Sequence, residues 1–288
     1  MIVNWNSGDL LLECLQTVAD ASKEGFQLER LVIVDNASSD KSLESVQNVG
    51  LPLHFIENRK NHGFAVACNQ GASESNADFL LFLNPDVVLE RDSIDTAACY
   101  FSRPDAADVG IVGIALRDRT GSRARSCARF FTPRMMLADI LRLDRLFPES
   151  RLSHRMWDWD HCQTREVNHV IGAFYMIRTT LFRGLGGFDE RFFVYLEDLD
   201  LSARAAARGW RCVYLAEAGA FHAGCGCSRR VPVRRKLYEV VSRVKYARKH
   251  LGWYWLPFSV LSVFELTAFF VIFSLGMAPR GRTGSASV

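Results

Sequence analysis

Three carboxylates stand at the start of a pattern typical of a helix, at Glu197, Asp198 and Asp200. Acidic side chains in a first helical turn are stabilised by the positive end of the helix dipole, and Gly209 suits the left-handed conformation that ends many helices. Asp200 and Arg204 are four residues apart, so we expect an ion pair that gives Asp200 a structural role. Asp198 points elsewhere and, fixed at a helix start, is well placed to act as a general base. A helix cap with a salt bridge and no chemistry would explain the same residues.

More polar side chains follow three apolar runs that are typical of buried strands. They are Asn4, Trp5 and Asn6 after the first run, Asp35 and Asn36 after Leu31–Val34, and Asn84 and Asp86 after Phe79–Leu83. Because the carboxyl ends of parallel strands meet at one edge of a sheet, where ligands bind, we expect these side chains to converge. No Gly-x-Gly-x-x-Gly follows the first run and the chain has no Gly-x-x-x-x-Gly-Lys-Ser/Thr, which argues against a dinucleotide or P-loop site.

The elements that must position these residues alternate between apolar strands and amphipathic helices over the first 116 residues. The expected helices cover 7–19, about 41–49, 64–73 and 91–101, and the expected strands cover the first few residues, 31–34, 53–56, 79–83 and 110–116. Strands that are apolar throughout and alternate with helices favour a parallel sheet covered on both faces. Residues 117–168 lack such a pattern, which is typical of a mobile loop or a substrate-facing insertion. Further strands are expected at 170–177 and 212–215, and the globular part should end near Gly224.

The composition excludes some classes of protein. A net charge of +3 over 288 residues is too small to indicate a nucleic-acid binder. The eight cysteines follow no signal peptide, and Cys225-Gly-Cys227 lacks a second pair at zinc-site spacing. We therefore expect reduced cytosolic thiols and no zinc site.

The C-terminal segment differs in character from the rest of the chain. Residues 229–250 form a basic helical pattern, and residues 251–277 are apolar apart from Glu265 and a few small polar residues. The apolar run meets the roughly 20 residues that a membrane span requires. The aromatic residues 253–255 would then lie at headgroup level, with the basic helix on the cytoplasmic side. A helix lying in the membrane interface is equally compatible with Pro257 and Glu265, and a buried core helix is the third alternative.

With these residues assembled, the chain resembles the family 2 inverting glycosyltransferases of the GT-A fold, and it is most similar to their bacterial rhamnosyltransferase branch. The matching segments keep the family's order and cover about residues 1–228. They are Val3–Ser7, Val34–Asp40, Glu57-Asn58, Asn61–Phe64, Asn69–Gly71, Phe82–Val87, Gly172-Ala173, Gly186–Glu190, Glu197–Leu201 with Arg204, Gly209-Trp210 and His222. The resemblance implies an α/β fold with a Rossmann-like mixed sheet and helices on both faces, followed here by the basic helix and the membrane-associated segment.

The resemblance implies a divalent metal site. Asn84-Pro-Asp86 matches the position of the family's Asp-x-Asp motif with only the final carboxylate kept, and Asp86 would bind the Mg²⁺ or Mn²⁺ that bridges the donor diphosphate. Oxygen ligands suit these ions, which offset the charge on the departing nucleotide diphosphate. The missing first carboxylate predicts a modest metal affinity. His222 matches a position that in relatives completes the metal or diphosphate site, and a turn residue at Asp86 and a packed histidine at His222 are the alternatives.

The same resemblance implies a pocket for the donor nucleotide. Its members are Asn4, Trp5, Asn6, Asp35, Asn36, Asn61, Gly63 and Asn84. Asp35 and Asn36 match residues that read the base and the ribose, and Trp5 replaces an aromatic residue that packs on the base. The two asparagines beside Trp5 are ribose contacts or turn formers, and Gly63 allows a close backbone approach. Ordinary core packing of Trp5 and a purely structural loop at Gly63 are the alternatives.

Asp198 matches the family's catalytic base, which takes the proton of the acceptor hydroxyl as this oxygen attacks the anomeric carbon opposite the nucleotide. A single displacement of this kind inverts the configuration of the sugar, in parallel with inverting hydrolysis. Glu197 would orient the acceptor.

The implied function is transfer of a sugar, best matched by L-rhamnose from dTDP-rhamnose, to a hydroxyl of a lipid-linked saccharide in bacterial cell-surface polysaccharide synthesis. The partners would be a dTDP- or UDP-sugar, a lipid-linked acceptor and the cytoplasmic face of the inner membrane, with no nucleic acid. We expect a donor-binding half at 1–116, an acceptor-binding and catalytic half at 117–228 and a disordered tail at 278–288. The alternatives are a UDP-hexose enzyme of the same family, a nucleotidyltransferase, whose Gly-rich basic loop is missing, and a non-catalytic nucleotide-sugar binder.

Overall fold

The computed structural model describes residues 1–47, 49–118, 120–147, 149–222, 224 and 232–274. The strands in this part of the chain are β1 (Ile2–Asn4), β2 (Leu31–Asp35), β3 (Leu53–Glu57), β4 (Phe79–Leu83), β5 (Val87–Leu89), β6 (Val109–Arg117), β7 (Cys127–Ala128), β8 (Arg165–Val167), β9 (His169–Val170), β10 (Phe174–Arg178) and β11 (Arg211–His222). The helices are α1 (Asp9–Ala19), α2 (Phe64–Ser73), α3 (Ser93–Phe101), α4 (Pro133–Ile140), α5 (Leu143–Leu146), α6 (Thr179–Gly184), α7 (Glu197–Ala206), α8 (Pro232–His250) and α9 (Trp255–Ser274). Cys225-Gly-Cys227 and the tail at 278–288 lie outside the described residues.

The main sheet has the strand order β3-β2-β1-β4-β10-β6-β11-β5, with β8 added beside β11. The first four strands in this order are parallel, as the alternating pattern indicates. β10 is antiparallel to both β4 and β6, so the sheet is mixed, as the family resemblance implies, and is not parallel throughout. In the described part of the segment between β6 and β10, α4 packs against α9, and β7 pairs with β9. The chain therefore re-enters the sheet at the end where β6 leaves it, and β10 runs antiparallel to β6.

Both faces of the sheet are covered. The alternate residues of β10 divide between two cores, with Phe174 and Met176 packed among the side chains of α1 and α3, and Tyr175 and Ile177 packed among those of α2, α6 and α7. This alternation follows from the two-residue period of a strand. The helices predicted over 7–19, 64–73 and 91–101 are confirmed as α1, α2 and α3.

Three predicted elements differ from the structure. The helix expected at about 41–49 is only a 3-10 turn at Glu44–Val46 in the described residues, because the side chains of Asp35 and Asp40 accept hydrogen bonds from Ser38 and Ser42 and so satisfy the chain locally. The strand expected at 170–177 is broken between β9 and β10. The strand expected at 212–215 extends to His222.

α8 packs against the loop and helix that carry the acidic residues 197–200. Ser242 donates a hydrogen bond to the carbonyl of Val194 (2.7 Å), and Lys249 pairs with Asp189 (2.7 Å) in the same loop. A buried cluster joins Phe131, Met136 and Ile140 to Leu199 of α7 and to Tyr246, Ala247, Leu251 and Phe258 of the C-terminal helices. The basic helix is therefore part of the folded domain.

Asp200 is fully buried and anchors this contact. It accepts from Arg204 Nε (2.8 Å), Lys249 Nζ (2.7 Å) and His250 Nε2 (2.7 Å), so the predicted pair with Arg204 is confirmed and extended. Burial alone would raise the pKa of Asp200, but the hydrogen bonds from His250, Lys249 and Arg204 outweigh it and hold the pKa below its ordinary value. The carboxylate is therefore ionised in the folded protein.

We expect Asp200→Asn to lower the free energy of unfolding by about 3 kcal/mol, because buried cations lose their partner. The measurement is urea unfolding followed by circular dichroism. The stabilisation is complete above the ordinary aspartate pKa of about 3.9 and is lost as the pH falls through the lowered folded value, so the gap between variant and wild type should close in acid. Asp108→Asn breaks an exposed pair with Arg211 and is the matched control, expected to leave the midpoint unchanged. A wild-type midpoint for Asp200→Asn at neutral pH would contradict this role.

Candidate functional site

A cavity of about 850 Å³ opens where β1, β4 and α7 meet. Most of the residues that the sequence singled out lie on its wall, namely Trp5, Asn36, Asn61, Gly63, Asn84, Asp86, Glu197, Asp198 and His222. Asp86 and Asp198 are separated by more than a hundred positions in the chain, yet they line the same cavity. The carboxyl ends of the strands thus converge as expected.

Asn4, Asn6 and Asp35 are not among the residues on the wall of this cavity, so their contact with the donor stays a prediction. Val3 and Trp5 line the cavity, so the strand alternation turns Asn4 to the opposite side. Asn4 is buried there, and its amide donates to Asp35 Oδ1 (2.7 Å). Asn6 has a positive φ of 53°, and its Oδ1 accepts from the backbone N–H of Ser39 (2.7 Å). These residues fix the turn that carries Trp5.

The loop around Gly63 is tightly held. Asn61 Oδ1 accepts from the N–H of Gly63 (2.8 Å), and Asn36 Nδ2 donates to its carbonyl (3.0 Å). Gly63 has a φ of 88°, and a Cβ at this position would collide with the carbonyl of Phe193. The close approach that only glycine permits is thus to the backbone of Phe193, so the loop around Gly63 and the loop before α7 are in direct contact.

On the cavity wall, Asp86 and His222 form a pair suited to a divalent cation. β11 pairs with β5 so that His222 lies opposite Val87, next to Asp86 in the chain. His222 Nε2 is 3.3 Å from Asp86 Oδ1, is buried, and makes no hydrogen bond to any residue in the described ranges. A buried imidazole nitrogen in need of a partner, beside a buried carboxylate, fits Mn²⁺ or Mg²⁺. No group of three or more His, Cys, Asp or Glu side chains gathers around a metal position in that part of the chain, so other ligands must complete the shell.

Asp198, on the same cavity wall, follows a strained turn. Tyr195 and Leu196, directly before α7, both have positive φ values (70° and 65°), which are costly for residues with a side chain. Asp198 Oδ2 accepts from the N–H of Gly172 (2.8 Å), and Oδ1 accepts from the N–H of Leu199 (2.8 Å). A Cβ on Gly172 would lie 3.1 Å from Oδ2, so glycine allows this backbone to approach. Gly172 lies in the break between β9 and β10, so this break supplies the backbone N–H that binds the Asp198 carboxylate.

The neighbouring carboxyls of Glu197 and Asp198 differ in their pKa. Glu197 is buried, and its Oε2 has no hydrogen-bond partner in the described residues. This burial and the adjacent charge of Asp198 raise the pKa of Glu197 well above its ordinary value. Burial also acts against ionisation of Asp198, but the nearby His169 and the N–H groups of Gly172 and Leu199 lower its pKa. The environments push the two pKa values apart, so Asp198 is the ionised member and Glu197 carries the proton.

The cavity wall also holds residues that the sequence did not single out. His169 lies behind Asp198, and Arg155, Arg234, Arg235 and Tyr238 line the side formed by the segment after α5 and by the first turns of α8. The absence of a regular pattern over 117–168 was the one signal for a substrate-facing segment. The arginines of α8 were counted as part of a membrane-facing helix, since no local pattern shows that its first turn faces the cavity.

The mixed sheet, with acidic residues lining one cavity at the carboxyl ends of its strands, has the architecture of the GT-A fold. The sequence model of glycosyl transferase family 2 matches residues 1–161, more than half of the chain. The chain therefore belongs to glycosyl transferase family 2, and it is a glycosyltransferase. The resemblance seen in the sequence is confirmed.

Among relatives, an N-acetylglucosaminyl-diphospho-decaprenol L-rhamnosyltransferase of Mycobacterium tuberculosis is 26% identical over 253 residues, covering 79% of this chain and 77% of the relative. Rhamnosyltransferase WbbL of Escherichia coli K12 is 28% identical over 172 residues, covering 57% of this chain and 58% of the relative. The fold is similar to that of mannosyltransferase PcManGT from Pyrobaculum calidifontis, solved with GDP-Man and Mn²⁺, with a TM-score of 0.58, 18% identity, and coverage of 97% of this chain and 74% of the other.

Proposed function

We propose that the chain is an inverting glycosyltransferase that transfers L-rhamnose from dTDP-rhamnose to a hydroxyl of a saccharide carried on a polyprenyl diphosphate. The observation that carries the proposal is the single cavity shared by Asp86 and Asp198. A metal-binding carboxylate and an ionised base on the wall of one cavity suit a reaction in which a diphosphate leaves while an alcohol attacks. The choice of rhamnose follows the two rhamnosyltransferase relatives.

In the proposed donor complex, Asp86 and His222 hold the divalent metal, which when bound offsets the charge on the leaving diphosphate. Trp5, Asn36 and Asn61 bind the nucleoside portion from the β1 and β3 side of the cavity. On this ground we assign residues 1–116 to donor binding and residues 117–228 to acceptor binding and catalysis. His222 belongs to the second range but contributes to the metal site of the donor.

The chemical step is a single displacement. The acceptor oxygen forms a bond to the anomeric carbon while the bond from this carbon to the diphosphate oxygen breaks, and the electron pair leaves with the nucleotide. Asp198 Oδ1 takes the proton of the acceptor hydroxyl, since Oδ2 faces Gly172 and His169. Protonated Glu197 donates a hydrogen bond to an acceptor oxygen and so orients it. The sugar is inverted because attack occurs opposite the leaving group.

The arginines on the α8 side support a charged acceptor. Arg155, Arg234 and Arg235 line the cavity, and no carboxylate in the described ranges pairs with them. Arg234 and Arg235 stand in the first turn of α8, which has no acidic residue, although cations there oppose the helix dipole. Helix stability does not explain this placement, whereas a diphosphate on the acceptor does.

α9 supports a membrane-bound acceptor. Within the described residues, one stretch, Gly252–Val271, is long and apolar enough to cross a membrane. Its one acidic residue, Glu265, pairs with Lys236 (2.7 Å) and Arg243 (2.5 Å) of α8, while Trp253, Leu256, Val263, Phe264 and Val271 are exposed. Because these ion pairs tie the middle of α9 to the folded domain, we propose that α9 lies in the cytoplasmic membrane interface rather than across the bilayer.

The test is a transfer assay with the full-length protein, Mg²⁺ or Mn²⁺, and a panel of dTDP-, UDP- and GDP-sugars. The acceptors are GlcNAc on a polyprenyl diphosphate and GlcNAc on an uncharged lipid of equal length. We expect rhamnose transfer from dTDP-rhamnose, with the KM for the diphosphate acceptor at least about tenfold lower, the value of one charge-assisted contact. If transfer occurs only from a UDP-hexose, the donor is a UDP-hexose and not dTDP-rhamnose. If a donor binds but is transferred to no acceptor, the chain is a non-catalytic nucleotide-sugar binder.

The arginines provide the control within the same assay. Arg234→Ser combined with Arg235→Ser should remove the preference for the diphosphate acceptor and leave the KM for the uncharged acceptor unchanged. Arg91→Ser combined with Arg103→Ser removes the same charge from positions outside the cavity wall and should keep the preference. An undiminished preference in the first double variant would contradict the assignment of the acceptor diphosphate to α8.

A further inference from the structure

We propose that His169 is a positioning residue for the general base, and that its Nε2–H holds the Asp198 carboxylate in the orientation that receives the acceptor proton. This inference rests on the proposed function, in which Asp198 is the base. It extends that function to a buried row of side chains behind Asp198, formed by His169, Ser202 and Tyr175.

His169 is buried at the start of β9 and lines the cavity beside Asp198. Its Nδ1 lies 2.9 Å from Ser202 Oγ, and its Nε2 lies 3.6 Å from Asp198 Oδ2. Asp198 and Ser202 are four residues apart on α7 and so share one face of this helix, which lets a single imidazole ring reach both. The 3.6 Å separation is longer than a hydrogen bond, and contacts of this kind shorten when a substrate closes the site.

The hydrogen-bond chain determines which nitrogen of His169 carries the proton. Tyr175 is fully buried, and burial raises the pKa of its hydroxyl well above the ordinary value, so it keeps its proton. Its hydroxyl lies 3.0 Å from Ser202 Oγ, its one hydrogen-bond partner in the described ranges, and therefore donates to it. Ser202 Oγ therefore donates its own proton in the second contact, and His169 Nδ1 accepts it. The imidazole proton is consequently on Nε2, the nitrogen that faces Asp198.

The arrangement orients the base and does not carry protons away from it. Asp198 Oδ2 accepts from Gly172 and faces His169, whereas Oδ1 accepts, within the described part of the chain, only from the N–H of Leu199 and so keeps a lone pair for the acceptor proton. Beyond His169 the chain of hydroxyls ends at Tyr175, which is buried and has no further partner in the described residues. A base oriented by a third group behind it is a recurring catalytic device.

The other charged and titratable groups around His169 are Glu197 of α7 and His154 and Arg155 on the facing segment. Burial lowers the pKa of His154 to about 3, so this neighbour is neutral at the pH of an assay. Burial and the adjacent charge of Asp198 raise the pKa of Glu197 well above its ordinary value, so Glu197 carries its proton. The ionised carboxylate that faces His169 Nε2 is that of Asp198.

The test compares His169→Ala with His169→Gln, which retains a donor near the position of Nε2. We expect His169→Ala to lower kcat on the order of 10- to 100-fold with unchanged donor binding, and to move the acid limb of the kcat profile upward by about 0.5 to 1 pH unit. His169→Gln should restore most of kcat. Ser202→Ala combined with Tyr175→Phe removes both hydroxyls without leaving one unpaired, and should lower kcat about tenfold because the tautomer is no longer fixed.

The outcomes separate this inference from the function on which it rests. If Asp198→Asn abolishes transfer while His169→Ala keeps the wild-type kcat and pH profile, the role of His169 is wrong and the base assignment stands. If Asp198→Asn itself retains turnover, both fail together. A loss in His169→Ala that glutamine does not restore, with an unmoved acid limb, would mark a packing role and would also overturn the inference.

Discussion

Asp198→Asn is expected to lower the rate of sugar transfer by about 10²- to 10⁴-fold, the range that a general base contributes. The substitution keeps the size of the side chain and an oxygen that can accept from Gly172, but the amide cannot take a proton from the acceptor. Donor binding should be unchanged, because Asp86 and the β1 side of the cavity are untouched. The measurement pairs initial rates with calorimetric titration of the donor in the presence of Mn²⁺.

Asp92→Asn is the matched control for this prediction. Asp92 is an exposed residue at the start of α3, outside the cavity wall, and its side chain makes no capping hydrogen bond there. The same chemical change at this position should leave both rate and donor binding at wild-type values. A turnover of Asp198→Asn within tenfold of the wild type would show that another group accepts the proton.

Asp86→Asn is expected to lower turnover by about 100-fold at a metal concentration that saturates the wild type. A metal that stabilises the charge on a leaving diphosphate contributes several kcal/mol, and about 3 kcal/mol corresponds to a hundredfold in rate. The amide is a weaker ligand than the carboxylate, so part of the loss should be recovered at higher Mn²⁺. The measurement is the rate as a function of Mn²⁺ concentration, with and without prior chelation.

The metal prediction has two internal comparisons. Wild-type activity should vanish after chelation and return on addition of Mn²⁺, and His222→Gln should shift the metal dependence in the same direction as Asp86→Asn. Wild-type activity that is unchanged after chelation would show that the reaction needs no divalent metal. A hundredfold loss in Asp86→Asn with an unchanged Mn²⁺ dependence would assign Asp86 another role.

The first half of the site was predictable because its residues sit at the ends of strands. Asn84-Pro-Asp86 follows an apolar strand, and Asp198 opens a helix with a clear N-terminal charge pattern, so local sequence fixes where each carboxylate is presented. The rule that strand ends meet at one edge of a sheet places Asp86 beside Trp5 and Asn36, whereas Asp198 joins them through the contact of its carboxylate with Gly172. The pair of Asp200 with Arg204 was likewise predictable, because residues four apart lie on the same face of a helix.

Other parts depend on contacts between distant segments. Asn4 and Trp5 are neighbours in the chain, and only the register of β1 decides that Trp5 faces the cavity and Asn4 the turn. The proximity of His222 to Asp86 comes from the pairing of β11 with β5, and that of His169 to Asp198 from the break before β10. No local periodicity encodes such pairings, so these partners had to be seen in the structure.

The position of α8 changes the interpretation of the basic C-terminal segment. From the sequence it was a helix that meets anionic lipid, but Lys249 and His250 contact Asp200 in α7, and Arg234 and Arg235 line the cavity. The helix expected to meet the membrane therefore also holds α7, the helix that contains Asp198. We expect any change that detaches α8 to affect turnover as well as membrane binding.

The most direct test of the central claim is a structure of Asp198→Asn with intact dTDP-rhamnose and Mn²⁺. The account predicts one donor in the shared cavity, with the metal between its diphosphate and Asp86, and the open face of the anomeric carbon turned to position 198. A donor whose anomeric carbon faces away from position 198, or a diphosphate bound away from Asp86, would contradict it.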